Sequence, residues 1–124
     1  MRTPAALFLL ASGLAAAGCG VGSGTSIDAA PIVTITAPVE GATVGNNVNI
    51  AATVFDDFRV DKVRFLIDGT QLPDGVQFDP PFSINWNTQT VTDHAQHVIR
   101  VEATDNAGNI GFKQITVLVV RGTQ

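Results

Sequence analysis

Between residues 31 and 120, apolar and polar residues alternate along short segments that turn-forming residues separate. In the segment 47–55, for example, every second residue from Val48 to Val54 is apolar. A period of two is that of a β-strand with one buried face. Seven strands are predicted on this basis, at 32–35, 43–44, 47–55, 62–68, 82–86, 97–104 and 112–120. The pattern predicts an all-β antiparallel sandwich whose two sheets bury their inward faces against each other.

Turn chemistry sets the boundaries of these segments. Asp68-Gly69 and Pro73-Asp74-Gly75 both read as turns, because glycine adopts positive φ freely and proline presets its own φ. The segment 105–109, Asp-Asn-Ala-Gly-Asn, reads as the loop of a hairpin. Trp86 has the same parity as Phe82, so we expect it in the core and not on a sugar-stacking platform.

Residues 1–18 have the layout of an export signal. Arg2 precedes an apolar run over residues 5–17, and small residues close the run. A permanent transmembrane helix needs about 20 apolar residues, so the run is too short to cross a bilayer comfortably. We therefore expect the protein to be exported.

Cys19, the single cysteine, follows this run directly in the sequence Ala16-Ala17-Gly18-Cys19. This stretch resembles the bacterial lipoprotein signal, with Ala16 where leucine is usual. The resemblance implies cleavage before Cys19, lipidation of its thiol and anchoring in a membrane. The absence of an acidic residue after Cys19 implies the outer membrane. The alternative is ordinary cleavage after Ala17, which would leave a soluble periplasmic or secreted protein with a free thiol.

Residues 19–30 read as the lipidated cysteine and a Gly/Ser-rich linker, with a span of roughly 18 Å as a flexible chain. We expect residues 31–120 to form the sandwich and residues 121–124 to form a C-terminal tail. The chain has 11 acidic and 7 basic residues and a net charge of −4, which argues against nucleic acid as a partner.

Four motifs stand out along the domain: Ile35-Thr36-Ala37-Pro38, the run 60–69, the run 81–88 and the run 103–109. In sequence and in spacing they resemble bacterial Ig-like domains, the type found beside chitinases, other glycosidases and surface adhesins. The resemblance covers residues 31–120. It implies a seven-strand, fibronectin III-like sandwich that is generally non-catalytic and serves as a spacer, stabiliser or adhesive unit.

An acidic group is the first candidate site. In an Ig-like sandwich, the loop after the 47–55 strand and the final hairpin loop fall at the same end. Calcium prefers six to eight oxygen ligands, so these loops form a candidate calcium site. The alternative is that these residues are simply turn formers whose side chains bond to nearby amides. The candidate ligands are Asp56, Asp57, Asp105, Asn106 and Asn109.

A second candidate is the outward face of one sheet. Four apolar residues there alternate out of phase with the core and are expected to form an exposed strip for a partner: Leu66, Val98, Leu118 and Val120. Arg64, Arg100 and Glu102 share that face and are expected to pair across strands. Sugar binding would instead need exposed rings, and the loop or edge candidates are Phe58, Phe78 and Phe112.

We expect no catalysis, because no nucleophile arrangement is recognisable and so small a module with a filled core leaves little room for a cleft. His94 and His97 span a loop and a strand start without a third ligand nearby, so zinc is not expected. The sequence therefore predicts a non-catalytic cell-envelope lipoprotein. Its Ig-like domain would act in protein interaction, adhesion or as a structural module, with an unidentified protein or polysaccharide partner. The alternative is a carbohydrate-binding or calcium-dependent adhesive module.

Overall fold

A computed structural model describes residues 29–57 and 59–122, so the predicted signal segment, Cys19 and Phe58 lie outside the described residues. Eight strands and one short 3-10 helix, Thr88–Thr90, make up this part of the chain. The strands are β1 (Ile32–Ala37), β2 (Thr43–Val44), β3 (Asn47–Phe55), β4 (Val60–Ile67), β5 (Thr70–Gln77), β6 (Phe82–Asn87), β7 (Ala95–Asp105) and β8 (Ile110–Val119). No helix within the described ranges is long and apolar enough to cross a membrane.

The strands form two sheets, which confirms the predicted all-β sandwich. One sheet has five strands in the order β2-β8-β7-β4-β5, and the other has three strands in the order β1-β3-β6. All pairings are antiparallel except that of β2 with β8, which is parallel. β2 thus covers the outer edge of β8.

The core lies between the two sheets and uses the alternate residues that the sequence pattern predicts. Trp86 and Phe65 are the largest side chains in it, and both are almost completely buried. Full burial of a large apolar side chain contributes about 1.5–3 kcal/mol, so this layer is the main source of stability. The buried core residues are Val33, Val48, Ile50, Ala52, Val63, Phe65, Ile67, Phe82, Trp86, Ile99, Val101, Ala103, Ile115, Val117 and Val119.

The structure contains one strand, β5, that the sequence analysis reads as a turn region. Asp68 and Gly69, with φ of 50° and 86°, do form the predicted tight turn, and it joins β4 to β5. Pro73-Asp74-Gly75, however, lies within β5, where the register with β4 shifts between Leu66 and Arg64. β5 is an edge strand, and such edges tolerate a proline and a bulge. The Pro-Asp-Gly segment therefore distorts a strand and does not end one.

We call the end of the sandwich at which β1 begins the Pro31 end. There the carbonyl of Pro31 packs directly against Gly111 of β8, leaving no room for a side chain at that position. The β3–β4 and β7–β8 loops lie together at this end, since the backbone N–H of Asn106 donates to the carbonyl of Arg59 at 3.0 Å. The β5–β6 loop lies there too, because Phe78 and Asp79 line the same cavity as Arg59 and Asn106. The segment that precedes the domain thus joins it beside these three loops.

The opposite end is closed by Arg121, which follows β8. Its guanidinium Nη1 donates to the carbonyls of Thr88 and Val91, at 2.6 and 2.9 Å. Its backbone N–H donates to the carboxylate of Asp93 at 2.8 Å. These bonds attach the end of the chain to the connection between β6 and β7.

Candidate functional site

An open groove of about 930 Å³ lies at the Pro31 end, between the last residues of β3 and the β5–β6 loop. We call it the end groove. It exists because β6 begins at Phe82, opposite Ala52, so that β3 extends beyond its neighbour. The preceding residues, Asp79-Pro80-Pro81, cannot extend β6, because proline has no N–H for a ladder. Its lining includes Val54, Arg59, Asp61, Phe78, Pro80 and Asn106.

The backbone of Val54 faces this groove. The side-chain amide of Gln77 bonds to both the N–H and the carbonyl of Ser83, at 3.1 and 2.5 Å, so these groups of Ser83 point away from β3. Along an antiparallel strand, the backbone N–H and carbonyl groups of successive residues point to opposite sides of the strand. The groups of Phe82 therefore point toward β3, where they bond to its register partner Ala52. Two residues further along β3, the N–H and carbonyl of Val54 point the same way, into the groove.

Exposed apolar side chains are concentrated around the same end. Ile32 and Phe55 are direct register partners on the outer face of the three-stranded sheet, and both are exposed. Phe78, at 62% exposure, stands in the groove wall. Ile110 begins β8 beside the β7–β8 loop. Four of the six exposed large apolar residues of the described chain therefore lie at one end.

The two acidic loops do lie at the same end, as predicted, but the Asp105 carboxylate is used within its own loop. Its Oδ1 accepts hydrogen bonds from the N–H groups of Ala107 and Asn109, each at 2.9 Å. Its Oδ2 accepts from the Asn109 amide at 3.1 Å. Asp105 is 1% exposed, so it acts as an internal brace for the hairpin.

Asp57 and Asn106 are exposed, whereas Asp56 is half-buried and its Oδ1 is inaccessible to solvent. Within residues 29–57 and 59–122, no three His, Cys, Asp or Glu side chains are grouped closely enough to hold a metal ion. The calcium site thus stays a prediction.

The outer face of the five-stranded sheet carries the charged cluster that the sequence analysis expected. The Glu102 carboxylate accepts a hydrogen bond from Arg64 Nη1 at 3.0 Å and another from Arg100 Nε at 2.8 Å. The guanidinium carbon of Arg100 lies 3.7 Å from the ring centroid of Phe112, a close cation–π contact. The predicted cross-strand pairing is confirmed for Arg64 and Glu102, whereas Arg100 and Glu102 pair along the same strand, β7.

The expected exposed strip on that face is wrong for Leu66, which is only 6% exposed. Its register partners on the neighbouring strands are Gln71 and Arg100, whose long side chains flank it. Val98, Leu118 and Val120 are half-buried. A binding role for these residues stays a prediction.

His97, which the sequence analysis places at the start of a strand, is buried, with 7% exposure. Its Nδ1 lies 2.6 Å from Asp68 Oδ2, and its Nε2 lies 2.8 Å from the carbonyl oxygen of Thr92. Burial alone lowers the pKa of His97, but the bonds to Thr92 and Asp68 and the charge of Asp68 outweigh it and raise the pKa above 6.5. His94, by contrast, is exposed.

A sequence profile of the bacterial Ig domain matches residues 31–101, more than half of the chain. The chain belongs to this family. No curated protein sequence matches it. The match agrees with the two-sheet sandwich and with the resemblance drawn from its motifs.

Several solved structures of longer chains contain a part that is similar to this bacterial Ig domain. It is similar to fibronectin(III)-like modules of Clostridium thermocellum CbhA, with 25% identity and a TM-score of 0.63 over 85% of this chain and 51% of that chain. It has 18% identity and a TM-score of 0.63 to the endo-β-1,4-mannanase of Thermotoga petrophila, over 81% of this chain and 22% of that chain. The chain thus spans about half or less of these relatives.

A third similar structure is SGBP-B of the mixed-linkage glucan utilization locus of Bacteroides ovatus, solved in complex with a mixed-linkage heptasaccharide. The identity is 22% and the TM-score 0.52, over 79% of this chain and 26% of that chain. At this level of identity the likeness shows the fold. Modules of the bacterial Ig and fibronectin III-like type are generally non-catalytic.

Proposed function

We propose that this bacterial Ig domain is a non-catalytic module of a cell-envelope lipoprotein and docks a partner protein through the end groove. The observation that carries the proposal is that Phe78 stands in the wall of the end groove while Ile32, Phe55 and Ile110 are exposed at the same end of the sandwich. Contiguous exposed apolar surface marks interaction sites, whereas single exposed apolar residues need no explanation. Protein interfaces also favour aromatic anchors such as these two phenylalanines.

The polar part of the groove supports a protein partner. Val54 directs a backbone N–H and carbonyl into it, which suits hydrogen bonds to another main chain. The charged residues that line the groove are two carboxylates, Asp61 and Asp79, and one cation, Arg59. Because negative charge is in excess, the groove favours a segment with apolar and basic side chains.

The lipoprotein part of the proposal rests on the sequence of residues 1–30. With Cys19 lipidated and residues 20–30 as a tether, the domain would be held close to the surface of the outer membrane. Because β1 starts at the Pro31 end, the tether would leave the domain beside the end groove. The partner would then be engaged at the membrane surface.

Intact mass of the mature protein, extracted from membranes of a bacterial host, tests the anchor. We expect a chain that begins at Cys19 and carries added acyl mass. A Cys19→Ser variant should lose both the acyl mass and the membrane association. A soluble chain that begins at Gly18 would contradict the lipoprotein assignment and indicate an exported protein with a free thiol.

Site-specific photocrosslinking in the same host tests docking. A crosslinker replacing Phe78 should give a defined protein adduct, which a second change, Phe55→Glu, should abolish. The matched control is a crosslinker at Val39, which is 68% exposed but lies in the β1–β2 connection. The same adduct from both positions, or no effect of Phe55→Glu, would contradict docking at the groove.

Carbohydrate binding is the second candidate function. It is supported by the similarity to modules of a mannanase and of SGBP-B. The exposed rings of Phe78 and Phe112 also favour it. Retention on chitin, cellulose or peptidoglycan, lost in Phe78→Ala or Phe112→Ala, would support this function, and absence of retention on every polysaccharide tried would contradict it.

A further inference from the structure

The outer face of the five-stranded sheet carries a charge opposite to that of the chain as a whole. The chain has a net charge of −4. On this face, however, Lys62, Arg64 and Arg100 share one outward parity on β4 and β7, and Glu102 is the single carboxylate among them. We call this surface the arginine face. It has a local excess of two positive charges and therefore favours an anionic ligand.

The two guanidinium groups on this face are held side by side before any ligand arrives. Glu102, with a side chain only 15% exposed, accepts from both of them. Gln71 Oε1 accepts from Arg64 Nε at 2.9 Å, and Gln114 Oε1 accepts from Arg100 Nη1 at 3.3 Å. The ring of Phe112 supports Arg100 from one side. Because these side chains are already ordered, ligand binding costs less conformational entropy.

Each guanidinium also retains donors for a ligand. An arginine has five N–H donors. Arg64 and Arg100 each use two of them in the bonds above, on Nε and Nη1. Three N–H groups of each side chain thus stay available within the described chain, on side chains that are about one-third exposed. Paired guanidinium forks match carboxylate groups, which accept two parallel hydrogen bonds.

The shape of the face indicates an extended ligand. Gln71, Leu66, Arg100 and Gln114 are successive register partners across β5, β4, β7 and β8. With neighbouring strands about 4.8 Å apart, this row spans roughly 14 Å. Polar and planar side chains cover it, and the apolar Leu66 is buried beneath them. Such a row suits a few linked units of a polymer more than a single small molecule.

We propose that the arginine face binds an acidic polysaccharide through the carboxylate groups of its uronic acid units. Arg64 and Arg100 would bind the carboxylates, while Gln71 and Gln114 would bond to sugar hydroxyls. A uronic acid polymer suits the face better than an acidic protein segment, because it would also present a series of hydroxyl groups to the exposed amides of Gln71 and Gln114. The proposal rests on the second candidate function, carbohydrate binding, and is independent of docking at the end groove.

Titration of the domain with polygalacturonate, in 50 mM and in 500 mM salt, tests the proposal. We expect saturable binding that is weakened by salt. Arg64→Gln and Arg100→Gln should each weaken binding about tenfold or more, because each removes charge-assisted hydrogen bonds. Arg100→Lys keeps the charge but loses the fork, so it should also weaken binding. Arg59→Gln makes the same charge change in the end groove and should leave binding unchanged.

Several results would overturn the proposal. Equal losses in Arg59→Gln and Arg100→Gln would indicate a nonspecific charge effect. Equal binding of polyglutamate would assign the face to acidic proteins instead. Binding of neutral cellulose or chitin that survives Arg64→Gln and Arg100→Gln would support carbohydrate binding but place it elsewhere. Circular dichroism of every variant, together with the groove crosslink at Phe78, separates these outcomes from misfolding and from failure of partner docking.

Discussion

The imidazole of His97 and the carboxylate of Asp68 are joined by a contact of 2.6 Å between Nδ1 and Oδ2. The other ring nitrogen, Nε2, faces the carbonyl of Thr92 at 2.8 Å. A carbonyl and a carboxylate only accept hydrogen bonds, so both ring nitrogens donate only when the ring is doubly protonated. When the ring is doubly protonated, its two hydrogen bonds connect the β4–β5 turn to the segment before β7.

This arrangement predicts stability that decreases as the pH rises. The pKa of His97 is raised in the folded state, so its contribution is complete below pH 6.5 and is lost as the pH rises through the folded-state pKa. The free energy of unfolding, measured by urea titration between pH 5.5 and 9, should fall over that interval. His97→Gln should be less stable at low pH, with a flatter profile.

The matched control for the pH profile is His94→Gln. The side chain of His94 is 71% exposed. This variant should therefore keep the slope of the wild-type protein. A His97→Gln profile as steep as that of the wild-type protein would show that another group causes the dependence.

Trp86, the single tryptophan, provides a separate readout of the same protonation. Its ring stands edge-on to His97, with centroids 6.5 Å apart and planes at 78°. A protonated imidazole quenches indole emission more strongly than a neutral one. Emission of the folded protein should therefore rise as the pH increases through the pKa of His97. The rise should be absent in His97→Gln, and its persistence there would contradict the assignment.

Particular residues show what the sequence predicts and what it does not. The parity of Val48, Ile50 and Trp86 is sufficient to place them in the core, because burial on one face of a strand requires alternation. The same parity, followed back from Ile99, points His97 inward. Its partner Asp68 is 29 residues away, and their contact depends on how the strands pair in space.

The local alternation of apolar and polar residues does not predict the end groove either. It depends on β3 extending beyond the start of β6, and strand register is a tertiary property. Asp79-Pro80-Pro81 correctly predicts that no strand continues there. The exposed position of Phe55, by contrast, follows from the alternation, because Phe55 lies two residues beyond Thr53 on the outward parity.

Asp105 should contribute strongly to stability because its buried carboxylate accepts three hydrogen bonds from its own hairpin loop. Asp105→Ala removes all three, and we expect a loss of about 3 kcal/mol in the free energy of unfolding. Asp57→Ala, an exposed change at the same end, should cost less than about 0.5 kcal/mol. Similar costs for the two variants, from chemical denaturation, would contradict the bracing role.

Calcium provides a test of the alternative use of these loops. Because Asp105 directs both carboxylate oxygens to its own hairpin, we expect millimolar calcium to leave the thermal midpoint unchanged, and a chelator to have no effect. A midpoint that rises with calcium, and rises less in Asp57→Ala, would instead establish the calcium site predicted from the sequence, since a bound ligand stabilises the folded state.

Gly111 should be intolerant of any side chain, because a Cβ there would overlap the carbonyl of Pro31. Neither partner can rotate away, since the clash involves backbone on both sides. Gly111→Ala should therefore lower the free energy of unfolding by about 2 kcal/mol. It should also make the chain around Pro31 more susceptible to limited proteolysis, because β1 must separate from β8. Lys113→Ala, an exposed change on the same strand, should alter stability by no more than about 0.5 kcal/mol. Wild-type stability and protease resistance in Gly111→Ala would show that the Pro31 end is not packed as described.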